Sequence, residues 1–268
     1  MRPSRSILAV RHIVLIVFAV AFLVPFVGIV AAAFANSNPT EEGVTLENFA
    51  QAWVEGRFND LLFSSLVIVA LVVPTTVVLS VFAGYGLAVL TPPGNRWITG
   101  AFVLGLTLPT ELVIIALYYN LDSAGLTNNY LGIALAEIAL FLPFGIFWMH
   151  THFSGIPREI VESGRIDGAS DLRVLLRLLM PISVPALTTL AVLFFVWAWN
   201  QFLIVLVLMQ SPAKRTATAG LGYFVGEFST NVPLLSAASI IVIAPVVIVY
   251  LIFQRSFVDG ITQGAVKG

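Results

Sequence analysis

Six long apolar stretches constrain the fold of this chain more than anything else in it. They run over about residues 13–35, 61–90, 98–119, 131–153, 184–209 and 234–254, and a bilayer core takes about 20 apolar residues per helix. Lipid offers no hydrogen-bond partner, so backbone that crosses it must satisfy itself as a helix or a closed barrel. Stretches this long and this uniformly apolar specify helix. Only 10% of the residues are charged and 59% are hydrophobic, against roughly a quarter charged in a soluble domain. The sequence therefore predicts an all-α, polytopic membrane protein with six transmembrane helices, one domain over residues 1–268, and both termini on one side. The second stretch is long enough to tilt or project, and Pro74 within it is tolerable where neighbouring helices satisfy the carbonyl it frees.

The first stretch also has features of a signal peptide, since basic residues precede it and Ala33-Phe34-Ala35 has a small-x-small pattern. Its apolar run exceeds the usual span of about 7 to 15 residues, which favours an uncleaved helix. Orientation follows from the basic residues, which accumulate on the cytoplasmic side. Arg2, Arg5, Arg11, Arg96, Arg158, Arg165, Arg173, Arg177, Arg255 and Lys267 fall on one side, and only Arg57, Lys214 and Arg215 on the other. Both termini are thus expected in the cytoplasm of a prokaryotic cell. The outer connections, 36–60 and 211–233, are an acidic loop and a Ser/Thr/Gly/Asn-rich one.

Composition excludes several chemistries. A formal net charge of −1 gives no case for nucleic acid, and the absence of cysteine removes disulfides, thiolate metal sites and cysteine nucleophiles. His12, His150 and His152 lie near expected helix ends and read as interfacial side chains rather than metal ligands. A phosphate-cradling P-loop needs G-x-x-x-x-G-K-[S/T], and neither Lys214 nor Lys267 stands in such a context. The chain is therefore expected to be no enzyme, to bind no cofactor, and to hold no ATP of its own.

Between the fourth and fifth stretches lies a polar interruption, residues 157–181. Pro157 suits a first helical position, and Glu159 and Glu162 then fall in the early turns, where the helix dipole favours them. Asp167-Gly168 is turn-prone and permits a bend. A second helix follows with Ser170 as its N-cap, and Leu172, Leu175, Leu176 and Leu179 share one face by their i, i+3, i+4, i+7 spacing. On the residues alone, a partner-docking element and an amphipathic helix lying on lipid headgroups account for this segment equally well.

The segment Glu162-Ser163-Gly164-Arg165-Ile166-Asp167-Gly168-Ala169, with Met180-Pro181 twelve positions beyond Gly168, resembles the EAA loop of binding-protein-dependent ABC importer permeases. It departs from that pattern in Ser163 and Gly164, which replace two alanines, and in Met180, which replaces a leucine. The tail, Gln254 to Gly268, is similar to that of the carbohydrate branch, the maltose-type permease subunits. Leu108-Pro109-Thr110-Glu111, Gly125-Leu126-Thr127-Asn128-Asn129 and Trp199-Asn200-Gln201-Phe202 fit the same family.

The resemblance implies a type I ABC importer transmembrane domain paired with a second permease subunit, two ATPase subunits that use ATP and Mg, and an extracellular solute-binding protein delivering a sugar. It implies that Glu162, Ser163, Gly164, Asp167, Gly168, Ala169 and Leu172 couple to the ATPase. The tail over 255–268, with Gly264, Lys267 and Gly268, would reach between the ATPase subunits.

Glu111 and Glu137 lie within apolar stretches, where a carboxylate is costly and its role has to be accounted for. Trp197, Trp199, Asn200 and Gln201 form an aromatic and amide cluster suited either to sugar recognition in a pathway or to helix–helix contact. Glu111 and that cluster are the candidate pathway residues. The competing class is a self-sufficient secondary transporter that uses an intramembrane carboxylate.

Overall fold

The computed structural model describes residues 5–36, 43–225 and 231–265, with side chains described to residue 255. Every regular element among them is helical. In chain order these are α1 (Arg5–Phe34), α2 (Glu47–Glu55), α3 (Phe58–Tyr85), α4 (Asn95–Gly105), α5 (Thr110–Ser123), α6 (Tyr130–Ser154), α7 (Arg158–Ile166), α8 (Asp171–Arg173), α9 (Met180–Ile182), α10 (Val184–Asn200), α11 (Leu203–Leu208), α12 (Ala217–Gly220) and α13 (Val232–Ala265). Two π-helical segments, Gly86–Leu90 and Val174–Leu179, continue α3 and α8. Among the described residues four helical spans are long and apolar enough to cross a membrane, and up to six if each of two sharply bent pairs counts as one span.

The chain divides into two compact units. In the larger, residues 60–220 and 245–268, α3, α6 and α10 supply much of the core. Small residues bring α3 against α6: a Cβ at Gly84 would lie 2.6 Å from the Met149 Cβ and 2.9 Å from the His150 backbone nitrogen, and one at Gly145 would overlap the Ser80 hydroxyl. Helices in lipid gain their contact from such close approach, because lipid tails leave little hydrophobic drive between them. Aromatic rings fill the α6–α10 seam, with Phe141 and Phe194 stacked at 5.9 Å and Phe144 edge-on to Trp197 at 4.9 Å. The Trp148 indole N–H donates to the Ala186 carbonyl at 3.2 Å across the same seam.

In the smaller unit, residues 1–59 and 221–244, α2 folds back on the end of α1. The buried Asn48 amide donates to the Ala33 and Ala35 carbonyls at 2.9 and 2.7 Å. It thereby satisfies the Ala33 carbonyl in the last turn of α1, where intrahelical partners run out, and the Ala35 carbonyl just beyond it. Phe34 and Phe49 pack at 5.1 Å beside these bonds.

Two expected spans differ from the structure. The stretch 98–119 is two helices, α4 and α5, meeting at 100°, because Pro109 occupies the N-cap of α5 in an extended conformation and a proline pushes the residue before it out of the α region. The stretch 184–209 is also interrupted: α10 ends at Asn200, Gln201 is extended, and α11 restarts at Leu203. Since a Cβ at Gly84 meets backbone that cannot turn aside, Gly84→Ala is expected to cost about 1–3 kcal/mol. Gly100→Ala, with nothing within 4 Å, is expected to leave stability unchanged or slightly raised; thermal unfolding in detergent compares the two.

Candidate functional site

The loop over 157–181 is built by local backbone chemistry. Pro157 stands at the N-cap of α7, one position before the first turn, and Glu159 is in that turn. α7 ends in a Schellman motif: the Ala169 N–H donates to the Gly164 carbonyl at 2.9 Å and the Gly168 N–H to the Arg165 carbonyl at 3.0 Å. Gly168 takes φ +78°, the left-handed region that glycine enters without a Cβ penalty. Ser170 sits at the N-cap of α8, but its hydroxyl makes no capping bond.

Asp171 closes the bend. Its Oδ1 accepts from Arg165 Nη2 at 2.8 Å and Nε at 3.1 Å, and this hydrogen bond pushes the Arg165 guanidinium further above its ordinary value. The Tyr85 hydroxyl, at the end of α3, donates to the Asp171 carbonyl at 3.1 Å, while its ring meets Phe153 of α6 edge-on at 6.0 Å. The loop is thus tied to α3 and α6 together.

The expected leucine stripe divides. Leu175 and Leu179 are buried with Val174, whereas Leu172 is 54% exposed and Leu176 is exposed too. The cause is the π-helical ladder over Val174–Leu179, which is wider than 3.6 residues per turn and so takes residues three apart off a common face while those four apart stay together. Gly164 is buried, and a Cβ there would lie 2.6 Å from Leu178 Cδ1 and 3.2 Å from Val174 Cγ2. Its smallness therefore serves packing between the two halves of the loop rather than an outside surface.

Facing outward are Glu162, Ser163, Asp167, Leu172 and Ile166, the last 85% exposed. Ser163 Oγ donates to the Ile160 carbonyl at 3.1 Å. Glu162 lines a hollow of about 240 Å³ with Arg158, Arg165, Thr91 and Phe153.

A second site lies inside the larger unit, a cavity of about 630 Å³. Leu106, Leu108 and Thr110 from the α4–α5 break line it, together with Phe141 and Phe144 of α6, Trp197 of α10 and Gln201 from the α10–α11 break. The expected aromatic and amide cluster is therefore split. Trp197 and Gln201 reach the cavity, whereas Trp199 is buried and stacked on Phe195 at 5.6 Å. Asn200 is exposed and donates back to the Val196 carbonyl of its own helix at 2.8 Å.

Glu111 is exposed in the first turn of α5, beside the cavity-lining Thr110 but not itself in the lining. Glu137 is fully buried in α6, and neither carboxylate oxygen has a hydrogen-bond partner among the described residues. Gly264 lies in the last turn of α13, and Lys267 and Gly268 lie outside the described residues. Among the described residues no group of acidic or histidine side chains is arranged to hold a metal.

Sequence reasoning missed Tyr85, Phe141, Phe144 and Thr110. The Leu108-Pro109 pair marked the break that exposes Thr110, but no local pattern reports that Tyr85 meets Asp171, 86 positions away.

Apolar helices, some broken within the span, and a charged two-helix loop joining two of them define a multi-pass membrane protein. Residues 76–263 match the family described as the binding-protein-dependent transport system inner membrane component, and the chain belongs to that family. Among its relatives are the diacetylchitobiose uptake system permease protein NgcG of Streptomyces coelicolor, 29% identical over 98% of this chain and 90% of the relative, and the trehalose/maltose transport system permease protein MalG of Thermococcus litoralis, 32% identical over 94% of both chains. A chain in the crystal structure of a bacterial ABC transporter involved in import of the acidic polysaccharide alginate superposes with a TM-score of 0.81 at 22% identity, covering 96% of this chain and 99% of that one. The fold is that of a type I ABC importer transmembrane domain.

The positive φ at Gly168 gives the loop a measurable weak point. A side chain there costs about 1–2 kcal/mol in the left-handed region, so Gly168→Ala is expected to raise the rate of tryptic cleavage after Arg165 by about 5- to 30-fold where opening is fast relative to cutting. An unchanged cleavage rate would contradict the Schellman geometry.

Proposed function

We propose that this chain is a permease subunit of an ATP-driven importer that passes a sugar or oligosaccharide through the membrane by alternating access. An extracellular solute-binding protein delivers the sugar, a second permease subunit completes the pathway, and two separate ATPase subunits use ATP and Mg. Both termini and the loop over 157–181 face the cytoplasm, as the distribution of basic residues supports. Family membership and relatives named as permeases for diacetylchitobiose, trehalose and maltose support this reading; the alternative of a self-sufficient secondary transporter has no such support.

The observation that carries the coupling role is the outward ridge of the loop. Exposed Ile166 and Leu172 stand beside Glu162 and Asp167, on a turn held rigid from within by the Arg165–Asp171 pair and the Tyr85 bond. Apolar anchors flanked by carboxylates suit a cleft with basic residues, where a charge-assisted hydrogen bond to Glu162 acts as a joint. Closure of the ATPase subunits then moves the loop as a body, and with it α6 and α10 at its ends and α3 through Tyr85. Gly164 contributes by letting the two halves of the loop lie close, while the glycine-containing tail reaches toward the ATPase subunits.

Glu162→Lys tests the joint. The variant is expected to insert and assemble normally but to lose at least about 90% of uptake, with ATP hydrolysis no longer stimulated by the loaded binding protein. Undiminished uptake per assembled complex would remove Glu162 from this role.

A further inference from the structure

Resting on the reading of the chain as a sugar permease, we propose that it also holds a ring of the transported sugar itself, in the cavity at the α4–α5 break. The ring stacks on Trp197 and is hydrogen-bonded by Gln201 and Thr110. The juxtaposition of two helix breaks carries this. The apolar stretches 98–119 and 184–209 are each interrupted, at residues 106–109 and at Gln201, and both interruptions open on the same cavity of about 630 Å³. Irregular backbone at bilayer depth persists only where protein covers it or where it lines a wet cavity. Two independent breaks converge on one hollow, and they bring the Thr110 hydroxyl and the Gln201 amide into an otherwise apolar and aromatic lining.

The lining specifies the ligand. The Trp197 ring is held edge-on by Phe141 at 5.5 Å and Phe144 at 4.9 Å, yet its indole N–H makes no hydrogen bond among the described residues. Nor does the Gln201 amide, which stands at the C-cap of α10 where no helical neighbour competes for it. A fixed aromatic ring with an unused donor, facing an unused amide and the Thr110 hydroxyl, is a preorganised site for a molecule with an apolar face and a rim of hydroxyls. None of the lining residues is charged. Glu137 lies on the same stretch of α6 as the lining residues Ala136 and Leu140 but is enclosed behind the wall. A neutral sugar ring fits this description; an acidic or cationic solute would find no countercharge. The volume falls within the 300–1,000 Å³ typical of small-molecule sites.

The test uses the whole importer, with its partner subunits and binding protein, in proteoliposomes. Uptake of radiolabelled maltose, trehalose and diacetylchitobiose is measured per assembled complex, alongside ATP hydrolysis. Gln201→Ala removes the amide without touching the ring cluster, and Trp197→Phe keeps the packing while removing the N–H and half the stacking face. For any sugar the wild type carries, each variant is expected to lower uptake about 3- to 10-fold, the span of one hydrogen bond lost to the ligand. The relative rates for the three sugars should shift, while hydrolysis stimulated by the binding protein stays within about twofold. A purely structural role would lower uptake of all three in proportion. Uptake and sugar preference unchanged in both variants, or a proportional loss in both, overturns the subsite and leaves the importer reading intact. A wild-type complex that carries none of the three, nor alpha-glucosides nor arabinooligosaccharides, the sugars for which other relatives are named, overturns the sugar reading, and the subsite with it.

Discussion

The constraint on which the rest of this structure depends is that backbone in hydrocarbon must pair its own polar groups. Most of the chain obeys it by continuous helix, and so the departures carry information. There are departures of two kinds. Outright breaks at residues 106–109 and at Gln201 line one cavity, where a wet or polar interior can take over the pairing. Widened π turns at Gly86–Leu90 and Val174–Leu179 lie at the ends of α3 and α8, where the chain passes from span to loop. At the first of these the Asn95 amide donates to the Leu87 carbonyl at 2.9 Å, a side chain standing in for the helical ladder. Such π segments recur at functional sites because they shift side-chain register without ending the helix.

The loop over 157–181 owes its stiffness to short-range devices acting together. A Schellman turn fixes its bend, an ion pair between half-exposed partners spans the bend, and Gly164 lets the two limbs pack to contact distance. The ion pair by itself contributes little at such exposure; its value is in choosing one geometry for a turn that glycine would otherwise leave free. The tie from Tyr85 to the Asp171 carbonyl then links this body to α3, and the Tyr85–Phe153 contact links it to α6. A partner that grips the outward ridge therefore holds three spans at once.

Much of this was legible in sequence, for identifiable reasons. Helical spans follow from hydropathy and length, and the bend follows from Asp167-Gly168, because turn chemistry is local. The break within the third stretch went unread although Leu108-Pro109 carried the signal, since hydropathy reports length and not the restriction on the residue before proline. The leucine stripe split into an exposed pair, Leu172 and Leu176, and a buried pair, Leu175 and Leu179, because the wider π turn separates residues three apart that a 3.6-residue spacing would keep on one face. At the cavity, composition pointed to one stretch of sequence but could not tell which of its side chains share a face. Trp197 and Gln201 are four apart and reach the cavity, whereas Trp199 and Asn200 turn away from it, and this follows from where α10 stops. Glu137 is a fully buried carboxylate with no hydrogen-bond partner among the described residues, and no local sequence pattern reports that.

That a partner grips the loop is the central claim, and the absence of cysteine from the chain makes it directly measurable. A single Ile166→Cys replacement places a thiol at the most exposed point of the ridge, where a maleimide reagent labels it at a measurable rate. If the ATPase subunits seat on this loop, labelling in membranes should slow at least about tenfold when they are present, and recover when they are stripped away. Equal labelling rates with and without the ATPase subunits in assembled, transporting complexes would show that the loop is not where force enters the membrane domain.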